Sequence, residues 1–450
     1  MNSDQLGTGK IWPLIMKMTL PAIAAQLVNL LYSIVDRIYI GHIPGIGETA
    51  LTGVGLATPV VVIISSFSQF VGGGGAPLAS IALGQGRRER AEEILGNGTS
   101  LLLGLSVLLQ TFFYLLMQPF LYFTGASDAT YPYASAYLSI YLIGTVMVLI
   151  TVGLTPFILI QGKTWIATLA VVVGAAANII LDPVFIYLFN MGVHGAALAT
   201  VISQTMSAAF VLWYLIFKSD QLRIRLWRMR PRAKILLHIG SLGISPFVMS
   251  ITESIISIVM NSGLRTYGGD LYVGCLTIMQ SVMQFIGVPI TGFTQGVTPI
   301  ISYNYGAGHT DRVKKTFRAT LVILFAYTSS LALLSMLFPG LCARIFTESA
   351  ELIALTERAL PIFMAGMLIF GLQRACQTTF LALGQAKFSL FIALLRKVFL
   401  LVPLALILPR FMGVFGIYWA EPIADVTAAL TCGTLFLCNF KKILARPPKS

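Results

Sequence analysis

Ile166–Phe189 reads IATLAVVVGAAANIILDPVFIYLF, an unbroken apolar run in which Thr168, Asn178 and Asp182 are the strongly polar exceptions. At 1.5 Å per residue it reaches about 36 Å as a helix, enough to cross a hydrocarbon layer of roughly 30 Å. A β-barrel strand would instead alternate over about ten residues. Phe388–Leu408 is a second run of the same kind. The chain of 450 residues is 56% hydrophobic and 10% charged, against roughly 25% charged in soluble domains. That excludes a cytosolic enzyme. The five cysteines (Cys275, Cys342, Cys376, Cys432, Cys438) are odd in number and scattered in apolar surroundings. They read as small hydrophobes, which excludes a disulfide scaffold. Met1–Lys10 is polar and no cleavage pattern follows the first apolar run, so no signal peptide is expected.

Twelve spans follow along the chain, at 12–40, 51–83, 94–118, 131–160, 165–189, 194–217, 235–263, 272–305, 313–337, 353–383, 388–408 and 414–438. The expected fold is an all-α integral membrane protein. Of 30 Lys and Arg, 22 fall in one set of loops and three (Arg265, Arg344, Arg410) in the other. The positive-inside rule then places both termini in the cytoplasm. The same bias accounts for most of the net charge of +13, so no nucleic-acid partner is expected. The densest run, Arg223–Arg232, reads as a linker lying on the anionic inner leaflet.

The chain repeats itself. Pro77-x6-Gly84-x-Gly86-x3-Arg90 returns as Pro299-x6-Gly306-x-Gly308-x3-Arg312, shifted by 222, and Met191-Gly-Val-x-Gly195 returns as Met412-Gly-Val-x-Gly416, shifted by 221. Six spans per half give both halves the same orientation, related by an axis along the membrane normal. Such repeats around a midplane site are a transporter architecture. The expected division is an N-terminal lobe over 1–217, a basic linker over 218–234 and a C-terminal lobe over 235–450.

Ionisable residues inside spans each cost at least about 2.5–3.5 kcal/mol, so they face a cavity or a partner. Five acids qualify: Asp36, Asp182, Glu253, Glu421 and Asp425. Counted from the predicted outer ends, Asp36 lies about 8 Å deep, Thr200 about 10 Å, Asp182 about 12 Å and Asn178 about 18 Å. Asn178 and Asp182 are four apart, on one helix face. An oxygen-only set suits a hard cation such as Na⁺, and two carboxylates at one level suit a proton. In the second half Glu421 and Asp425 are again four apart, around Pro422. Glu253 lies about 15 Å deep and Arg396 about 18 Å, where a pair between Arg396 and a carboxylate is expected. Pro21 should kink the first helix. Gly72–Pro77, and Gly287, Pro289, Gly292, Gly296 and Pro299 in the eighth span, read as close-packing and hinge positions.

Gly162-Lys-Thr164 lacks the first glycine of a P-loop, since Phe157 stands there. Transport is therefore expected to be secondary. No zinc or nucleophile-elbow motif is present, so an intramembrane enzyme is disfavoured and no cofactor is expected. A channel is disfavoured by the parallel repeats.

Taken together, Pro21 with Val35-Asp-Arg-Ile-Tyr-Ile-Gly41, Ala82-Leu-Gly-Gln-Gly86, Asn178-Ile-Ile-Leu-Asp182-Pro183, Met191–Thr200 and Ala420-Glu-Pro-Ile-Ala-Asp425 resemble the multidrug and toxic compound extrusion (MATE) family over roughly 12–438. The resemblance implies twelve helices in two six-helix pseudo-symmetric lobes forming a V. It implies antiport of cytoplasmic drugs or organic cations against H⁺ or Na⁺ by alternating access, in a monomer of the cell membrane. Asp36, Asn178, Asp182 and Thr200 match the family's first-lobe cation site, Pro21 its bending proline, and Glu253 a second-lobe glutamate of one branch. A helix-10 aspartate of that branch has no match: Gln373-Arg374-Ala-Cys376-Gln377 fills the region. The alternative within the superfamily is a lipid-linked glycan flippase, which calls for a strongly cationic central cavity.

Overall fold

The computed structural model describes residues 4–445, the side chain of Ser254 excepted. Arg446 and Lys449, counted above among the internal cations, lie outside the described residues. Every regular element among those described is helical. Twelve spans run in order. In the first lobe, α1 is Ile11–Gly41, α2 Gly47–Gly84, α3 Arg88–Leu115, α4 Tyr131–Ile143 with Thr145–Leu159, α5 Thr164–Leu188 and α6 Gly192–Lys218. In the second lobe, α7 is Ala233–Tyr267, α8 Asp270–Gly306, α9 Thr310–Leu337, α10 Ala350–Ala382, α11 Ala386–Met412 and α12 Phe415–Leu444. Each overlaps its expected span, with ends shifted by up to six residues.

The repeat is visible in the backbone. Left-handed glycines occur in matched pairs: Gly45 with Gly269, Gly86 with Gly308, Gly162 with Gly384, Gly192 with Gly413. The tight turns between spans require φ > 0 there, which a side chain resists. The fourth span of each lobe is interrupted at matched glycines as well. α4 bends by 59° at Gly144, and α10 breaks at Ala365–Gly366. Gly144 lies against Val201 of α6, and Gly366 against Pro422 and Asp425 of α12. The sixth helix of each lobe thus crosses where the fourth has no side chain.

The lobes meet along two symmetry-related crossings toward the linker-side ends of the helices. At Gly74 of α2 an added Cβ would strike the Ile239 carbonyl and Gly243 of α7; at its match Gly296 of α8, Met18 and Thr19 of α1. Ser66 donates to Ser250 at 2.8 Å across the first crossing. Gln26 donates to Gln295 at 3.1 Å across the second. Two hydrophobic cores result, one per lobe. α1 straddles them: Leu14, Ile15 and Met18 are buried in the second, Ile40 in the first.

The structure bears on three expectations. The glycines and prolines of α2 and α8 break neither helix, since both run on past them, and Gly72, Gly74, Gly292 and Gly296 are close-packed. α1 likewise continues through Pro21, whose carbonyl accepts from Thr168 of α5 at 2.7 Å. The basic linker does not simply face lipid. Arg225 and Arg228 reach the buried Glu92 of α3 at 3.1 and 2.9 Å, and Arg232 reaches Glu93 at 2.6 Å. Asn97 Oδ1 accepts from the Arg232 backbone N–H. Glu92 joins Asp182, Glu421 and Asp425 as a buried acid, one that pattern reading overlooked.

Candidate functional site: an acidic chamber and an ion-paired chamber

In α5 the α-helix ends at Pro183 and continues as a single π-helical turn, Val184–Leu188. Proline removes a backbone donor, and π turns insert an extra residue that re-aims side chains. Asp182, fully buried, stands at that junction. Asn178 Nδ2, one turn back, donates to Asp182 Oδ1 at 3.2 Å. From α1, the Asp36 carboxyl lies within hydrogen-bond reach of the Asp182 carboxyl. Two bare carboxylates repel at such a separation, so a shared proton or a cation is favoured there. Asp36 Oδ1, Asp182 Oδ2 and Asn178 Oδ1 have no hydrogen-bond partner among the described residues. Thr200 Oγ1 donates to the Ala196 carbonyl at 3.0 Å and lies against Tyr137. The set fits a proton or a hard cation. Asn178 and Thr200 open onto a first-lobe cavity of about 220 Å³.

The second lobe is built differently. α11 carries a π-helical segment, Leu395–Leu401, which contains Arg396 and Lys397. Arg396 donates to Asp425 at 2.5 Å and to Glu421 at 3.1 Å, and stacks on Phe370 at 4.9 Å. All three charged groups are buried. Lys397 pairs with Glu253, whose side chain projects into the cleft. Glu253, Arg396, Lys397 and Glu421, with Arg374, border a cavity of about 480 Å³. Between the lobes lies a third cavity, about 400 Å³, bordered by Gln69, Gln295, Glu253 and Arg374.

The 221–222 shift superimposes the two chambers. Thr200 and Gln204 correspond to Glu421 and Asp425, Gly174 and Ala175 to Arg396 and Lys397, and Val152 to Arg374. One scaffold thus presents unlike chemistry in its two halves.

The MatE family model matches residues 21–184 and 246–407, most of both lobes. The chain belongs to the MatE family. Among curated relatives of this MATE chain is "Multidrug export protein MepA" of Staphylococcus saprophyticus, 26% identical over 426 residues, covering 92% of this chain and 91% of the relative. The Staphylococcus haemolyticus protein of the same name is 25% identical over 424 residues, covering 93% and 92%. A solved MATE structure in the bent conformation superposes with a TM-score of 0.92 at 24% identity, covering 99% of this chain and all of the other (100%). The V-shaped MATE fold and a membrane transporter, rather than an enzyme, follow.

In this MATE chain Asp36, Asn178 and Asp182 come together, and Thr200 shares the first-lobe cavity wall with Asn178. Arg396, Glu421 and Asp425 form one cluster, joined through Lys397 to Glu253. Pattern reading missed Tyr32, which lies against Gln204, and Tyr137, which lies against Thr200. Tyr32 is four residues before Asp36, and Gln204 four after Thr200, so one-turn spacing was the available signal. Lys397 and Arg374 fall inside predicted spans, but that Lys397 meets Glu253 was not legible. Arg37 is exposed beside Asp36 and acts on it by charge alone.

Proposed function

We propose that the chain is a secondary active multidrug exporter, moving drugs or organic cations out of the cell against H⁺ or Na⁺ by alternating access. The linker face is cytoplasmic, both termini with it, and the V opens outward across the plasma membrane. The working unit is one chain: lobe 1–217, linker 218–234, lobe 235–450. Asp36, Asn178, Asp182 and Thr200 take the coupling ion. Glu253, Glu421, Asp425 and Arg396 shape the second chamber.

What carries the proposal is the pairing of the Asp36 and Asp182 carboxyls, with orphaned oxygens around it, beside the first-lobe cavity that Asn178 and Thr200 line. That contact favours a proton over Na⁺. Neutralising the pair alters packing between α1 and α5, where Pro21 and Thr168 already join the helices. Because α1 belongs to both cores, a shift there is felt by both lobes. The flippase alternative calls for surplus cations, whereas in the second chamber Arg374, Arg396 and Lys397 stand against Glu253, Glu421 and Asp425.

The test is ethidium efflux from proteoliposomes under separately imposed pH and Na⁺ gradients. The pH gradient should stimulate efflux, and Asp36→Asn or Asp182→Asn should abolish that stimulation. One proton moving down 100 mV supplies about 2.3 kcal/mol, about a 50-fold gradient of a neutral solute. No response to either gradient, or wild-type coupling in both variants, overturns the proposal. A response to Na⁺ alone transfers the same residues to a sodium site.

A further inference from the structure

We infer that the second chamber contains an anion subsite centred on Arg374, which takes the carboxylate of aromatic zwitterionic or anionic substrates. The inference rests on the exporter reading and names a substrate class for it. Arg374 borders both the second-lobe cavity and the central one, so it stands at the passage between them. Its two cationic neighbours are engaged: Arg396 by Asp425 and Glu421, Lys397 by Glu253. Arg374 makes no hydrogen bond or ion pair among the described residues, and Glu253, the acid that acts on it electrostatically, already holds Lys397.

A guanidinium has five N–H donors in a planar fork that matches a carboxylate. Half-buried on the wall of two cavities and with no protein acceptor, it draws its partner from the cavity. The fold does not require a cation at this place, because the matching residue in the first lobe is Val152, on the wall of that lobe's cavity. The rest of the wall suits an aromatic body. Met249, Met283, Met367, Phe363 and Phe370 line it, and methionine and aromatic surfaces adapt to varied apolar shapes. A cavity of about 480 Å³ is within the range of drug-binding pockets.

The experiment uses two dyes that differ only at the carboxyl group: rhodamine 110, the free acid, and rhodamine 123, its methyl ester. Binding to the purified full chain is read by fluorescence anisotropy. Arg374→Gln should weaken the free acid about ten-fold or more and leave the ester within about two-fold. Arg374→Lys should fall between. Equal loss for both dyes, no loss for the acid, or no binding of the acid by the unaltered chain overturns the inference. A second measurement needs no variant. Naphthalene-2-carboxylate should displace rhodamine 110 from the unaltered chain at least about ten-fold better than naphthalene-2-carboxamide; equal displacement overturns the inference. Acid-selective binding without ion-driven efflux would sustain the subsite and overturn the exporter. Ethidium efflux without Arg374-dependent selectivity would do the reverse.

Discussion

Arg396→Met tests whether the second-lobe ion cluster is a buried unit. The substitution leaves Glu421, 6% exposed, and Asp425, 1% exposed, without their cation. Removing one member of a buried pair costs about 3–5 kcal/mol, because the stranded charge cannot be hydrated. Lys397→Met strands Glu253 instead, but that side chain is 69% exposed toward the cleft, so about 1 kcal/mol is expected. If the second lobe unfolds as a unit of about 210 residues, its unfolding entropy is about 0.44 kcal/mol/K. The two variants should then lower the midpoint by about 7–11 °C and about 2 °C. The protein supplies its own reporter. All five cysteines lie in the second lobe, and Cys275, Cys376 and Cys432 are buried, so a thiol-reactive dye follows that lobe during heating. Adding Glu421→Gln and Asp425→Asn to Arg396→Met removes the stranded charges and should restore most of the loss. A shift for Arg396→Met no larger than for Lys397→Met would refute the reasoning, as would a triple variant no more stable than the single.

Three further outcomes are expected. Ser66→Cys with Ser250→Cys places two thiols where hydroxyls now meet at 2.8 Å; oxidation should join the lobes and stop efflux, with reductant restoring it, and full efflux in the cross-linked protein would show that α2 and α7 need not part. Glu92→Gln removes the carboxylate shared by Arg225 and Arg228, so trypsin should cut the linker about ten-fold faster; an unchanged rate would mean the linker is held by other contacts. Gly74→Leu drives a side chain into the Ile239 carbonyl, while Gly104→Leu enters open space; folded yield should collapse for the first and hold for the second.

The spans were legible because the hydrocarbon layer imposes one length and one polarity on each of them. Deep acids were legible because charge is scarce there, so Asp36, Asp182, Glu421 and Asp425 stood out. Tyr32, Tyr137 and Gln204 did not, since neutral polar side chains carry a much smaller burial cost. The π-helical segments left no mark, because one extra residue in a uniformly apolar run changes no visible period. The interruptions at Gly144 and Gly366 were hidden among tolerated membrane glycines. Their separation of 222 residues was a signal that only the known repeat makes readable. Which carboxylate meets which cation depends on how helices distant in sequence cross. Lys397 and Glu253, 144 positions apart, are paired by the fold alone.

The two crossings at Gly74 and Gly296 have a consequence for how such a chain could have arisen. They are the same contact made twice, so a half-length protein of six spans could have closed this V as a homodimer. In a homodimer every substitution is made in both subunits at once. A glycine facing one cavity and an arginine facing the other, as at Gly174 and Arg396, could not then coexist. Fusion into one polypeptide removes that restriction. Each half becomes free to diverge where it faces ligand, while the shared corners and crossings hold the pair in register.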